Sequence, residues 1–312
     1  MFLNLYTVIF STSWYFIVNG FFLIIYKLNH PLIEKYKVTT ELWPWQENYR
    51  EWRKLLRKSI KQILFNNLAL IPVLLFAQRQ LFGAENIHPF SIDSLPDSKT
   101  LLLQIIFCSL MEDLAFTFTH RIFHTPFFYK RFHKIHHQYT NSVGICAEYC
   151  HPVEFVFGNA IPFTIPCLLL GGKMHAYTNM LWGAFRVANT VYGHSGYDFP
   201  FIFSELLPFN STTSYHDYHH SANVGNYSGM FTFWDTIFEW NKDFYKYQSQ
   251  KENSDIKNIK FTDPAISSSA YQSTQSNSSD SEKENSKIQK KEKDSLKKNI
   301  KNEKISKKFK IQ

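Results

Sequence analysis

The residues of this chain that are best suited to chemistry are histidines, and they recur at spacings that suit metal binding. Eight of the 13 histidines fall into three groups, with neighbours three or four residues apart. On a helix such neighbours lie on one face, and neutral imidazole is the commonest side-chain metal ligand. The groups are His120 and His124; His133, His136 and His137; and His216, His219 and His220. Scattered surface or core histidines would not be expected to repeat this spacing, so the pattern favours a site for two metal ions.

The surroundings of these histidines favour activation of O2 over activation of water. Imidazole binds zinc, copper, iron and nickel, so the spacing alone does not choose the metal. A metalloprotease helix needs a glutamate directly after its first histidine, but Arg121 follows His120. Hydrolytic two-metal sites more often include bridging carboxylates. We therefore interpret a site dominated by imidazole at a membrane surface as an oxygen-activating site.

Three apolar runs have the length of membrane-spanning helices. They cover about Leu3 to Tyr26, about Ile63 to Phe82, and the residues from Leu101 towards His120. About 20 residues suffice for a helix to cross a bilayer. No positively charged segment precedes the first run and no small-residue cleavage site follows it, so a retained membrane helix is predicted there.

The charges of the connecting segments predict how these helices are oriented. The segment Lys27–Lys61 is rich in lysine and arginine, and it holds Trp43, Trp45 and Trp52, as expected at a membrane interface. The loop Gly83–Lys99 has one lysine and no arginine. The positive-inside rule therefore places the first segment in the cytosol, the loop on the other side, and the first histidine pair at the cytosolic face.

Two further apolar runs, Phe155–Leu170 and Ala176–Tyr192, are short and close together. We expect them to form a helical hairpin that returns to the same face of the membrane, because the later histidines must meet the earlier ones. The predicted fold class is an all-α integral membrane protein. It has three crossings, this hairpin, and a cytosolic helical cap that holds a histidine-rich dimetal site. The N-terminus is then lumenal and the C-terminus cytosolic.

The chain is expected to have three parts. Residues 1–100 form N-terminal membrane helices and an amphipathic segment, and residues 101–245 form the histidine-rich core with its hairpin. Residues 246–312 are rich in Lys, Ser and Asn, which predicts a disordered cytosolic tail. The net charge of +8 comes without a stacking or groove-reading module, so nucleic acid is not an expected partner. The four cysteines form no C-x-x-C pair, so no disulfide framework or thiolate zinc site is predicted.

The sequences around the histidines resemble those of a known superfamily. H-R-I-F-H, H-K-I-H-H and H-D-Y-H-H look like the three histidine boxes of the fatty acid hydroxylase/sterol desaturase superfamily. The flanking motifs E-D-x-x-F, A-E-Y-C-H-P-V-E, H-S-G-Y-D-F-P and Y-H-D-Y-H-H are most like those of its C-4 methylsterol oxidases. The resemblance covers the chain from about Leu101 to Trp240.

This resemblance implies a membrane-bound, non-haem di-iron enzyme of the endoplasmic reticulum that uses O2. It also implies electrons from NAD(P)H through cytochrome b5 and its reductase, and a sterol or related lipid as substrate. In the C-4 methylsterol oxidases, a C-4 methyl group is oxidised through the alcohol and the aldehyde to the carboxylate. The implied metal ligands are the eight box histidines and His194, which matches a further position of the family.

Residues outside the boxes are assigned supporting roles. Glu112 and Asp113 lie one to two helical turns before His120, where they either orient ligand imidazoles or mark the water boundary. Asp217 is assigned the same orienting role. His151 is either a further ligand or an interface histidine that bonds a carboxylate. No catalytic residue beyond the metal ligands is expected.

Other functions are compatible with the same boxes. A sterol desaturase, another sterol-dealkylating enzyme, an aldehyde-processing enzyme or a lipid hydroxylase would share the metal site, and box spacing does not separate them. A membrane metal carrier or sensor would bind metal without consuming O2. The last five residues, Lys308 to Gln312, resemble a cytosolic dilysine retrieval signal, although a lysine-rich tail also produces such a pattern by chance.

Overall fold

The protein is built from helices of very different lengths. The computed structural model describes residues 2–39, 41–83, 88–202 and 207–262. These ranges contain no β-strand, although isolated bridges pair Lys37 with Tyr197 and Asn210 with Phe231. The α-helices are α1 (Phe2–Leu28), α2 (Pro31–Glu34), α3 (Pro44–Glu47), α4 (Tyr49–Phe65), α5 (Ile71–Phe82), α6 (Ser98–Phe123), α7 (Pro126–Arg131), α8 (Pro152–Glu154), α9 (Ile161–Leu170), α10 (Ala176–Gly193), α11 (Thr213–Ala222), α12 (Phe233–Ile237) and α13 (Lys242–Thr262). The same ranges also contain two π-helices, Asn66–Leu70 and Phe155–Ala160, and four 3-10 helices, Ile92–Ser94, His133–Gln138, Gly144–Cys146 and Gly171–Lys173.

Within the described part of the chain, four helical stretches are long and apolar enough to cross a membrane. They are Tyr6–Leu28, Tyr49–Phe82, Ser98–Phe123 and Pro152–Lys173. Their outer surfaces carry large apolar side chains, and Leu81, for example, is 77% exposed. Such surfaces are unfavourable in water and favourable in lipid. The predicted fold class, an all-α membrane protein, is therefore confirmed, with the fourth stretch forming the first arm of the hairpin.

The hairpin consists of the stretch Pro152–Lys173 and α10. Glu154 near the start of the first arm and His194 directly after the second arm line the same cavity, so the two arms run in opposite directions. α9 packs against α6, and α10 packs against α1. The hairpin therefore brings the chain back to the level at which α6 ends.

The tryptophans expected at a membrane interface pack together with tyrosines in one aromatic cluster. Trp43 is 2% exposed, and its ring stacks on that of Trp45 with centroids 5.3 Å apart. Tyr26 at the end of α1 and Tyr197 after α10 contact Trp43 at 5.0 and 5.5 Å, and Trp52 contacts Trp45 at 5.4 Å. The segment after α1 folds back over these tyrosines, where large rings pack favourably against one another.

The basic segment and the second apolar run form one continuous helical stretch, from Tyr49 to Phe82. Asn66 and Asn67 lie in the π-helical turn between α4 and α5, and both are buried. Their amides donate hydrogen bonds to the backbone carbonyl of Cys150 at 3.1 Å and to the carboxylate of Glu148 at 2.7 Å. These asparagines therefore attach the helix to the segment between the second histidine box and the hairpin.

The C-terminal part is helical further along the chain than the sequence predicts. α13 continues to Thr262, so the first residues of the predicted disordered tail are helical. Residues 263–312, which include both lysines of the suspected retrieval signal, lie outside the described residues. All three histidine boxes lie within one compact unit, Met1–Tyr245.

Candidate metal centre

Nine histidines converge on two adjoining positions in the structure. Within each group, the ring nitrogens that can bind an ion lie within 4.8 Å of one another. The first histidine group consists of His120, His124, His133, His137 and His219, and the second consists of His136, His194, His216 and His220. The structure therefore brings together the eight box histidines and the additional His194.

Each of the two H-x-x-H-H boxes contributes to both groups. In α11, His216 and His220 belong to the second group, while His219 between them belongs to the first. The box His133–His137 is divided in the opposite sense, with His136 in the second group. The sequence suggested that the members of a box meet at one position. Instead, the first and last histidines of each box, four residues apart, face one metal position. The histidine between them, three residues after the first, faces the other position.

The ends of α6 and α10 supply the other ligands. His120 lies in the last turn of α6, and His124 is the C-cap residue of that helix. His194 is the C-cap residue of α10. The carbonyl groups at a helix C-terminus carry partial negative charge, which favours a cation nearby. Both helices therefore end where positive charge is stabilised.

The Nε2 atoms approach one another at distances typical of ligands that share an ion. In the first group, His133 Nε2 lies 2.9 Å from His124 Nε2 and 3.0 Å from His137 Nε2. In the second group, His194 Nε2 lies 2.9 Å from His216 Nε2. Metal–nitrogen bonds of about 2.0–2.1 Å place neighbouring ligand nitrogens about 3 Å apart. The spacing of the rings therefore matches metal coordination.

The opposite ring nitrogens show which tautomer these histidines adopt. Five Nδ1 atoms lie 2.6–3.3 Å from backbone carbonyl oxygens, to which only an N–H can donate. They belong to His120, His136, His194, His219 and His220. A neutral imidazole has one N–H, so the Nε2 atoms of these rings carry free lone pairs. Lone pairs that face one another repel, and a cation between them removes the repulsion. The donor set therefore fits metal ions.

Burial keeps these imidazoles in the form that binds metals. Desolvation lowers the pKa of His136 to about 4 and the pKa values of His194 and His219 to about 3. The pKa values of His124 and His137 are also lowered, first by burial and then by the charges of neighbouring imidazoles. At neutral pH the rings are therefore uncharged and present lone pairs to an ion.

One carboxylate supports a ligand directly. Glu154 Oε1 accepts a hydrogen bond from His133 Nδ1 at 2.7 Å, and both residues are buried. A carboxylate behind a ligating imidazole fixes the orientation of the ring and raises its basicity. No role is predicted for Glu154 from the sequence, although this residue ends the motif A-E-Y-C-H-P-V-E. Membership of this motif was the one sequence feature that pointed to Glu154. Its hydrogen bond to His133 becomes visible only in the folded structure.

Comparison with known proteins assigns the chain to a family. Residues 105–239 match the family model described as fatty acid hydroxylase. Methylsterol monooxygenase 2-2 of Arabidopsis thaliana is 35% identical over 203 residues, which are 64% of this chain and 74% of the relative. Methylsterol monooxygenase 1 of Danio rerio is 33% identical over 227 residues, 72% of this chain and 73% of the relative. The chain belongs to the fatty acid hydroxylase family.

The family also contains relatives named for a different reaction. A very-long-chain aldehyde decarbonylase of Oryza sativa subsp. indica is 31% identical over 208 residues, which are 65% of this chain and 75% of the relative. No solved structure gives a significant match. The resemblance inferred from the histidine boxes is confirmed, and so is the prediction of an oxidoreductase, because the matched relatives include monooxygenases.

Three carboxylates that the sequence analysis placed behind the ligands contact other groups. Glu112 forms an ion pair with Arg186 at 2.7 Å. Asp113 accepts a hydrogen bond from the backbone N–H of Met230 at 2.8 Å, and Asp217 accepts one from a backbone N–H after the second box. None of the three bonds an imidazole within the described ranges. They connect segments of the fold around the metal centre and do not orient its ligands by direct contact.

His151 lies outside both histidine groups of this family member. Its Nδ1 accepts a hydrogen bond from the backbone N–H of Val153 at 3.1 Å and so caps the short helix α8. Its ring lies beside that of Phe132, with centroids 5.0 Å apart. The structure therefore gives His151 a capping role, in place of the metal ion or the carboxylate considered from the sequence.

A small cavity lies beside both histidine groups. Its volume is about 30 Å³, which is room for one or two water-sized groups. Five histidines drawn from both groups form part of its wall. Much of the remaining wall is formed by Phe116, Phe123, Cys150, Glu154, Asn159 and Thr190. A reacting group placed in this cavity would lie next to ligands of both ions.

Proposed function

We propose that the protein is a membrane-bound, non-haem di-iron oxygenase that uses O2 to oxidise a C-4 methyl group of a sterol. The observation that carries this proposal is a pair of adjoining, purely imidazole groups that share one cavity. Zinc has no redox chemistry and hydrolytic metal pairs usually share carboxylates, whereas imidazole suits iron. Relatives named methylsterol monooxygenase, among them one from a plant and one from a fish, support a sterol substrate.

Iron bound at both positions would supply the electron transfer and O2 reduction that oxidation of an unactivated C–H bond requires. The protein's own residues hold the ions and shape the space beside them. The rings of His137 and His220, one from each group, lie 4.8 Å apart, so ions held by the two groups would be close neighbours. Phe116 and Phe123 line this cavity and exclude water from the reacting carbon.

The proposal includes electrons from NAD(P)H through cytochrome b5 and its reductase, and residence in the endoplasmic reticulum membrane with a cytosolic C-terminus. The contacts of the basic segment support a cytosolic metal centre. Ser59 and Trp52 on α4 contact Tyr139, which follows the second histidine box, at 2.8 and 6.0 Å. The lysines and arginines of α4 therefore lie on the same side as the boxes, and such residues favour the cytosolic side.

Sterol profiling tests the proposed reaction. Cells that cannot remove C-4 methyl groups are supplied with a C-4 methylsterol, and their sterols are analysed by mass spectrometry. Expression of this chain should produce the C-4 alcohol, aldehyde and carboxylate, while His136→Ala and His219→Ala should not. Loss of a different alkyl group, or a new double bond, would contradict the C-4 assignment. Turnover by the two histidine variants would contradict the metal site itself.

Cleavage of a long-chain aldehyde is the second candidate function. The similarity to a very-long-chain aldehyde decarbonylase favours it. Cells given a long-chain aldehyde would then accumulate a hydrocarbon one carbon shorter, with no change in their methylsterols. If the purified protein bound iron but consumed no O2 with either substrate, a metal carrier or sensor would replace both enzymatic proposals.

A further inference from the structure

Two polar side chains on the cavity wall have hydrogen-bonding capacity that the described part of the chain leaves unused. Glu154 Oε1 is bonded to His133, but Glu154 Oε2 is buried and has no partner there. Asn159 lines the same cavity, and its side-chain amide forms no hydrogen bond with the described residues. A buried carboxylate oxygen without a donor is costly, so a donor supplied by a bound molecule fits this position.

A π-helical turn brings these two residues to the same side of their helix. Phe155–Ala160 form a π-helix, whose backbone hydrogen bonds join residues five apart, so that a residue and its fifth successor lie near one face. In an α-helix, Asn159 would lie about 140° around the axis from Glu154. Gly158 leaves room for an apolar neighbour, because a Cβ atom there would lie 3.3 Å from Phe123 Cε2. The turn therefore sets a polar pair into an otherwise apolar part of the wall.

We propose that Glu154 and Asn159 bind a hydroxyl group of the substrate, carried by the carbon next to the one that is oxidised. A hydroxyl both donates and accepts, so it can donate to Glu154 Oε2 and accept from the Asn159 amide. This inference rests on the proposed function, because a sterol carries its hydroxyl on C-3 and the methyl group to be oxidised on C-4. The size of the cavity agrees with this proposal, since a volume of about 30 Å³ admits a hydroxyl group and one further small group.

The consequence is selection for an alcohol. A hydroxyl bound at this pair places the neighbouring methyl group beside the two histidine groups, which line the same cavity. A lipid without the hydroxyl leaves a buried carboxylate oxygen and an amide unpaired, and sites built for a substrate hydroxyl discriminate strongly against its absence. Glu154 and Asn159 are therefore specificity-determining residues as well as part of the cavity wall.

Binding of two matched ligands tests this inference without turnover. The iron-loaded protein in lipid nanodiscs, without reductant, is titrated with a C-4 methylsterol and with its 3-O-methyl ether. The ether keeps the rings and the C-4 methyl group but cannot donate to Glu154. We expect the ether to bind roughly 10- to 100-fold more weakly, as for the loss of a hydrogen bond to a charged group. Equal dissociation constants for the two ligands would overturn the inference.

Variants show whether the preference comes from these two residues. Asn159→Leu has a similar size and no amide, and it should reduce the preference for the free hydroxyl roughly 3- to 10-fold, as for one neutral hydrogen bond. Glu154→Gln can still accept from His133 through its amide oxygen but presents an amide N–H in place of Oε2, and it should lose most of the preference. Thr164→Val, further along the same helix and outside the cavity wall, is the matched control and should keep it.

Iron content is measured for every variant, so that a change in ligand preference is not confused with a loss of metal. If Asn159→Leu and Glu154→Gln both bind iron and both keep the wild-type preference, the hydroxyl site is disproved. A failure of the proposed function looks different, because wild-type protein would then leave the C-4 methylsterol unoxidised in the sterol-profiling experiment. If the wild type oxidises the sterol but binds the ether equally well, the inference alone fails.

Discussion

Replacement of Glu154 measures how much the fold contributes to metal binding beyond the ligands themselves. Its Oε1 accepts a hydrogen bond from His133 Nδ1 at 2.7 Å, and both side chains are buried. Glu154→Ala leaves that N–H unpaired, and losing a hydrogen bond to a charged group costs about 1.5–3 kcal/mol. Since about 1.4 kcal/mol is a factor of ten, iron affinity at the first histidine group should fall roughly 10- to 100-fold. Glu154→Gln still accepts a hydrogen bond and should lose less.

The assay is iron retention by the purified protein during titration with a chelator, followed by metal analysis. Glu148→Gln is the matched control, because Glu148 is a nearby carboxylate that bonds Asn67 and, among the described residues, no imidazole. Thermal unfolding is recorded for each variant to show that it is folded. The reasoning is refuted if folded Glu154→Ala releases iron at the same chelator concentration as the wild type and the Glu148→Gln control.

Three further predictions concern other parts of the centre. His136→Ala leaves three of four ligands in the second group, whereas His137→Ala leaves four of five in the first, so metal analysis should find less iron in His136→Ala. Gly225→Ala should lower the free energy of unfolding by roughly 1–3 kcal/mol, seen as a lower Tm. Gly225 has φ +67°, a Cβ there would lie 2.3 Å from the Trp240 carbonyl oxygen, and its own carbonyl accepts from His219. Removal of iron with a chelator should also lower the Tm, and adding iron back should restore it.

Local spacing was sufficient to predict which histidines come together. Residues four apart on a helix share a face, and each of the pairs His120/His124, His133/His137 and His216/His220 lies in a single histidine group. His194 was found through its resemblance to a family position and lies in the second group. Apolar length predicted the membrane helices, because the thickness of a bilayer fixes how long such runs must be.

Contacts between distant segments could not be predicted in this way. The first and second groups divide each H-x-x-H-H box, and this division depends on which other helix faces each ring. Glu154 bonds His133 across 21 residues, whereas Glu112 and Asp113, nearer to His120 in sequence, bond other partners. Trp43 lies in a basic segment whose composition is typical of a membrane interface. The burial of its side chain depends on how the chain folds back onto α1, which composition does not show. In each case tertiary packing decides the contact.

The division of the boxes has a consequence for how the two ions are acquired. The 3-10 helix His133–Gln138 and α11 each provide ligands to both histidine groups. An ion bound in one group therefore immobilises two elements that the second ion also needs. The second ion then binds with a smaller loss of conformational entropy, because these elements are already ordered. We expect positive cooperativity in metal loading. Native mass spectrometry of the metal-free protein during iron titration should show chains with no iron or two, and a large population with one would contradict this coupling.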